Sequence, residues 1–536
     1  MIRSRRRWVR AAGSDATGSA TATWASRCVI RSRWSGSAAR VRARRRSNTT
    51  FLSARHSRSA VRRAGARRPG LVDIFGRGCG HILGRMEHAE AEQQMPEDGG
   101  ASSEREQASG LSAGASRSAS DAPRADSGRF ASIALSGDFD PRALLTGPDA
   151  AEVSVCYEQP DRDLVLVGMG EAALITAPPG GGPEAIRDAA LRLLRDAAAD
   201  GDRSSPLRPR LLGGFAFDPS AQVGGPWGGF DYGWLSLPRL LFVRDGEDCG
   251  VVLAPGSHPA EVDYLIERSA GAEPDTRERP ATALRVVWDI NRPALMYAVA
   301  EIAAEVRAGL YEKAVLASVR EIETAAAIDP GATLAQLRTD YPHCHLFSFR
   351  RGDAIFLGAS PEQLAGLRGG AVSTLGLAGS ARRGRTDEED AELGEALLRD
   401  AKERIEHEIV VRALREGVSA LASDLEAPNR PELLRLHNIQ HLATEVRGRA
   451  LPGVDILDLV GRLHPTPAVC GWPSATAREV ITRHERFDRG WYAGPVGWLD
   501  GAGDGEFAVG LRSALVRGRG GGGGAGGGRG RPAPPA

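Results

Sequence analysis

Between residues 129 and 516 the apolar residues arrive in short runs, and this limits the chain to folds built on sheets. The runs are DLVLVGMG (163–170), RLLFVRD (239–245), ALRVVWDI (283–290), AIFLGAS (354–360) and FAVGLRSALV (507–516). Their length and β-branched content suit strands. None approaches the roughly 18 residues that a spanning helix needs. Helical stretches alternate with them. In ALMYAVAEIAAEVRAGL (294–310), Leu295, Val299, Ile302 and Val306 share one helical face and Gly309 is a stop signal. In KAVLASV, Lys313, Val315, Ala317 and Val319 alternate with Ala314, Leu316 and Ser318, the period of a strand. In DAKERIEHEIVVRAL (400–414), Ile405 and Ile409 mark the apolar stripe of a helix, and Glu403, Glu406 and His407 sit one turn apart. The expectation is an α/β (α+β) chain.

Two stretches without apolar period bracket this part. Residues 1–70 carry 19 Arg, no Lys, no Glu and one Asp, and residues 86–128 are rich in Glu, Ala, Ser and Gly. Residues 1–128 therefore read as a disordered extension. The Arg-rich, acid-poor start, residues 1–70, resembles an organellar transit peptide or an RNA-binding tail. The favoured reading is a start codon called too early, with Met86, Met95 or a nearby codon as the true start. At the other end, residues 517–536 read RGRGGGGGAGGGRGRPAPPA, a low-complexity tail that cannot pack. The net charge of +1 gives no global field for nucleic acid, and no segment reads as membrane-spanning. Six scattered cysteines without a C-x-x-C pair argue against a zinc site or disulfide framework and fit a cytoplasmic protein.

Lysine usage singles out one position. Of 69 basic residues only two are lysine, Lys313 and Lys402. Arginine stays protonated and cannot accept a proton. A lysine on an apolar strand face is desolvated, which lowers its pKa and makes Lys313 a candidate general base. Glu403 and Glu406 form a candidate hard-cation site, since Mg²⁺ takes one or two carboxylates plus substrate oxygens.

The motifs KAVLAS, GASPEQL, LAGSARRG, KERIEHE, QHLAT, HPTPA and YAGPVGW follow one another between residues 290 and 516. In this order they resemble the chorismate-utilising enzymes: isochorismate synthase, salicylate synthase, anthranilate synthase component I and aminodeoxychorismate synthase component I. The resemblance implies a fold of two pseudo-symmetric halves, with largely antiparallel sheets packed face to face and helices outside. Residues 129–288 would form the N-terminal half and 289–516 the chorismate-binding catalytic region. Ala378 stands where aminodeoxychorismate synthases carry the lysine of P-I-K-G-T, so no covalent amine is expected. Gly376, Leu377 and Ser380 depart from the P-I-A-G-T of anthranilate synthases, and their L-L-E-S motif is not visible. Leu-Ala-Gly-Ser is similar to isochorismate synthases, with anthranilate synthase component I and salicylate synthase as the alternatives.

The implied reaction adds water at C2 of chorismate while the C4 hydroxyl leaves, for menaquinone or a siderophore. By resemblance, Lys313 is the base and Glu362 of SPEQL the acid, with pKa values pushed toward neutrality. Glu406 and, more weakly, Glu403 would hold Mg²⁺. Arg512 would grip a substrate carboxylate, and Ala378, Gly379, Ser380, His441, Thr444, Thr466, Ala468 and Tyr492 would shape the pocket. The partners implied are chorismate and water. Nucleic acid, membrane and a glutaminase subunit are not expected, and the chain would be a monomer or weak dimer. Two departures stand out. Ser318 replaces the arginine of K-V-V-L-A-R, and the glycine-rich turn and acidic helix that family members place after the RSA strand are missing here. The expectation is a frameshift near codon 517 and reduced activity for the chain as written.

Overall fold

The apolar runs become strands of two large antiparallel sheets. The computed structural model describes residues 129–136, 138–197, 205–220, 225–270, 284–288, 291–324 and 327–518, and the backbone course alone at 20–29, 284, 287–288 and 518. One sheet has 12 strands and the other 10. The first runs in the order Leu284–Trp288, Lys313–Thr324, Ala20–Val29, Ser513–Gly518, Ala354–Ser360, His345–Arg351, Val153–Gln159, Leu164–Met169, Leu240–Asp245, Asp248–Leu253 and Ala131–Ala134. The short strand Gly471–Trp472 pairs with Lys313 and Ala314. The second runs Ala422–Glu426, Ile439–Ala450, Ala371–Arg382, Gln363–Arg368, Gly505–Val509, Pro495–Asp500, Arg210–Phe215, Gly233–Leu237 and Ala173–Thr176, with Glu432–Arg435 beside Ile439–Ala450.

Each sheet takes strands from both parts of the chain, as the expected paired halves require. An aromatic cluster ties the sheets together. Trp491 lies 4.9 Å from Trp234, 5.0 Å from Phe230 and 5.8 Å from Phe349 between ring centroids, and Phe356 adds contacts to Trp227 and Phe347 at 5.3 Å. These large buried rings carry much of the apolar driving force.

Two readings are corrected. The run 507–516 is not one strand. It breaks at Gly510–Arg512, so that Gly505–Val509 lies in the second sheet and Ser513–Gly518 in the first. The cause is local: Arg512 has φ 48°, a left-handed turn that interrupts regular strand geometry. The stripe on the helix Ala401–Ser419 is also different. Ile409 is buried as expected, but Ile405 is 56% exposed, and the buried face also carries Glu403, His407, Val410 and Leu414. Within the stretch 1–128, Ala20–Val29 has an extended backbone that pairs on both sides, and the residues 1–19 and 30–128 lie outside the described residues. Residues 517 and 518 complete the strand Ser513–Gly518, and the rest of the tail also lies outside them. Among the described residues, no helix is long and apolar enough to cross a membrane. Cys156, Cys249, Cys344 and Cys470 are buried free thiols.

Candidate active site

Lys313 opens its strand and is 4% exposed. The first five residues of that strand are buried, so both faces are covered where the lysine stands. Gly471 and Trp472 pair with Ala314 and Lys313 on one side. A buried ion pair fixes the strand from behind. Arg489 Nη2 donates to Val315 O at 2.8 Å, Arg489 Nη1 to Val469 O at 3.0 Å, and Glu485 accepts from Ala317 N at 2.5 Å. The imidazole of His407 is 4% exposed, and its Nε2 lies 2.7 Å from Thr444 Oγ1. Burial pushes its pKa down to about 4 against a backbone hydrogen bond at Ala378, and the nearby charge of Lys313 pushes the same way. It is therefore neutral near pH 7.

Glu362 stands in the turn between Ala354–Ser360 and Gln363–Arg368 and is 1% exposed. Its backbone is held twice: Glu362 N donates to Ser360 Oγ at 3.3 Å, and Val509 N donates to Glu362 O at 3.0 Å. Thr466 Oγ1 donates to Glu362 Oε1 at 3.1 Å. Glu362 therefore precedes a strand and caps no helix. Thr466 lies in the loop after the helix Ile456–Leu463, with Ala468 fully buried behind it. His464 in the same loop reaches Phe217 O with Nε2 at 3.0 Å, which orders the loop.

The strand Ala371–Arg382 carries a bulge between Ala378 and Ser380, with Gly379 at φ 74°. Such a bulge re-aims the residue beside it. Ser380 Oγ meets His441 Nδ1 at 2.8 Å, and His441 Nε2 lies 3.4 Å from Arg512 Nη2. The guanidinium of Arg512 also lies 5.4 Å from the ring centre of Tyr341. Ser380 N donates to Glu403 Oε2 at 3.3 Å. The helix Ala401–Ser419 starts where it does because Asp400 caps it, accepting from Lys402 N and Glu403 N. That start sets Glu403 and Glu406 on one face. Lys402 Nζ lies 3.2 Å from Glu403 Oε1 and 3.0 Å from Glu406 Oε1.

The comparisons with known proteins bear on this geometry. The sequence profile of the chorismate-binding enzymes matches residues 118–528. The chain belongs to the chorismate-binding enzyme family. A salicylate biosynthesis isochorismate synthase of Pseudomonas aeruginosa is 39% identical over 340 residues, covering 60% of this chain and 69% of that protein. The isochorismate synthase MenF of Bacillus subtilis is 30% identical over 385 residues, covering 68% of this chain and 79% of that protein. Among solved structures, the menaquinone-specific isochorismate synthase MenF from Escherichia coli aligns with TM-score 0.55 at 26% identity, over 73% of this chain and 87% of that one.

In this chorismate-binding enzyme the expected residues fall into three hydrogen-bonded groups. Ser380, His441, Arg512, Glu403 and Glu406 form one, Glu362 and Thr466 a second, and Thr444 and His407 a third next to Lys313. Ala378 and Gly379 line the bulge that joins the first and third, and Tyr492 is buried near Arg489. The carboxylates of Glu403 and Glu406 share one ammonium, so their donor set suits a hard cation completed by substrate and water. Sequence reasoning grouped His407 with Glu403 and Glu406 but gave it no role, and it did not single out Tyr341. His407 stands four residues after Glu403, a spacing that puts both on one helix face.

Proposed function

We propose that this enzyme is an isochorismate synthase: it adds water to C2 of chorismate as the C4 hydroxyl leaves. The observation that carries the reading is a buried lysine and a buried glutamate of opposite proton-transfer function. Lys313 is 4% exposed, and Glu362 is 1% exposed with Thr466 donating to it. Both belong to segments that the family profile covers. Lys313 accepts the proton of the attacking water, and Glu362 gives a proton to the departing hydroxyl. The neutral His407 beside Lys313 adds no competing positive charge at pH 7. Arg512 and His441 hold a substrate carboxylate, with Ser380 fixing the imidazole. Ala378, Gly379, Thr444, Thr466, Ala468 and Tyr492 shape the pocket around the ring. Glu406 and Glu403 are the residues that would hold Mg²⁺, which when bound neutralises and orients the ring carboxylate.

The nucleophile is water, so no amide-donating subunit enters the reaction. The reading includes a cytoplasmic enzyme, monomeric or weakly dimeric, whose product serves menaquinone or siderophore synthesis. The test is product chromatography after incubation with chorismate and Mg²⁺, with and without ammonia. Isochorismate is expected in both, and Lys313→Gln or Glu362→Gln should abolish it. Anthranilate in the ammonia arm, or salicylate in either, would replace the reading with a sister activity. No product at all would make the chain an inactive member of the fold.

A further inference from the structure

On the inner face of the second sheet, three side chains converge away from the residues described above. Trp498 is 2% exposed, and two guanidinium groups lie against its indole ring: Arg210 at 4.6 Å and Arg368 at 5.8 Å from the ring centre. Strand pairing explains the meeting. Arg210 lies opposite Asp500 and Leu212 opposite Trp498, while Glu506 faces both Trp498 and Gly366, two residues before Arg368. Residues two apart on a strand share a face, so all of these side chains stand on the same side.

Their hydrogen bonding is incomplete in one direction. Arg210 is 1% exposed and uses Nη2 for Pro206 O at 3.1 Å and Asp245 Oδ2 at 3.4 Å. Its Nε and Nη1 are buried and have no partner. Arg368 meets Asp245 through Nη1 at 3.7 Å, while its Nε and Nη2 are likewise buried without partners. The indole Nε1 of Trp498 is a fifth unpartnered donor. Buried polar atoms in folded proteins are almost always paired. These five are donors, and a neighbouring oxygen without a hydrogen bond, Asp500 Oδ2, is met by Arg208 at 2.7 Å, so the five lack an acceptor of their own.

Charge points the same way. Arg208 joins the group through Asp500 at 2.7 Å and Arg162 through Glu506 at 3.2 Å, which gives four guanidinium groups against three carboxylates, Asp245, Asp500 and Glu506. Burial pushes Arg210 down to about 10, with Asp245 and Asp500 opposing the shift and Arg208 and Arg368 adding to it. A neutral water would leave that excess charge uncompensated in a medium where charges need partners. Guanidinium forks match the planar or tetrahedral oxygens of an oxyanion.

We infer that Arg210, Arg368 and the indole of Trp498 form a binding site for a small inorganic oxyanion of the phosphate class, separate from the chorismate site. The site does not depend on the proposed reaction. Its test is thermal unfolding of the full chain in rising inorganic phosphate, with ionic strength held constant by sodium chloride. A saturable rise of about 3 °C is expected near a hundredfold excess over the dissociation constant. Arg368→Gln, at the more exposed edge of the cluster, should fold, keep its turnover of chorismate and weaken the phosphate response at least tenfold. Arg210→Met should abolish the response if it folds. A phosphate response that is absent, or identical in wild type and Arg368→Gln, overturns the assignment. The second outcome would show an adventitious ion only.

Discussion

Arg489 and Glu485 meet at 2.6 Å with side chains only 3% and 4% exposed, and between them they hold three backbone groups of the site. Two of those groups, Val315 O and Ala317 N, belong to the strand that Lys313 begins. Removing one partner of a buried pair leaves a charge uncompensated and costs about 3–5 kcal/mol. Arg489→Ala should therefore lower the unfolding free energy read from a urea titration by that amount. Arg489→Lys should recover little of it, because an ammonium cannot reproduce the planar fork.

The second expectation concerns Gly471, which pairs with Ala314 beside Lys313. Its φ is +129°, and a Cβ there would sit 2.2 Å from Lys313 O and 2.7 Å from Ala314 Cα. Backbone cannot yield as a flexible side chain can. Gly471→Ala should push the Lys313 strand aside and lower kcat about 100-fold, the loss expected of a misplacement near 1 Å. Steady-state kinetics would check it. An unchanged kcat would mean that the strand start tolerates displacement.

Lys402 supplies a third. Its ammonium competes with any cation for Glu403 and Glu406. Partly exposed pairs contribute about 0.2–1 kcal/mol each. Lys402→Met should therefore lower the Mg²⁺ concentration for half-maximal rate by roughly two- to fivefold. A Mg²⁺ titration of the initial rate reads this directly, and a rise would place the cation elsewhere.

The fourth is a pH effect on stability. His407 is held neutral down to about pH 4 by burial, whereas its ordinary pKa is 6.5. Between these values the unfolded chain binds the proton and the folded chain does not. Stability from this group is intact above pH 6.5 and falls as pH drops toward 4. At about 1.4 kcal/mol per pH unit, the loss approaches roughly 3 kcal/mol. Urea midpoints from pH 7 to 4.5 should show it, and His407→Gln should flatten the profile.

How much was legible in the sequence depended on what each residue had to do. Lys313 stood out because the chain uses arginine nearly everywhere else. Glu362 and the Ala378–Ser380 turn were legible through the order of their motifs. Ile405 misled because helix periodicity assumes that apolar residues face inward. Here the inward face holds the polar Glu403 and His407, and Ile405 is turned out. The break at Arg512 was invisible because a single left-handed residue leaves no trace in an apolar run. The arginine cluster around Trp498 was invisible too, since its members come from three strands that only the sheet brings together.

The strand Ala20–Val29 joins Lys313–Thr324 to Ser513–Gly518, with Trp24 opposite Arg320 on one side and Ala514 on the other. Among the described residues, no other strand links the Lys313 strand to the long remainder of its sheet. Both pairings span hundreds of residues, and contacts so distant along the chain form late. Residues 513–518 must emerge from the ribosome before this sheet can close. Until then the strand Ala20–Val29, even when paired with the Lys313 strand, keeps one bare edge, and a bare edge is a template for aggregation.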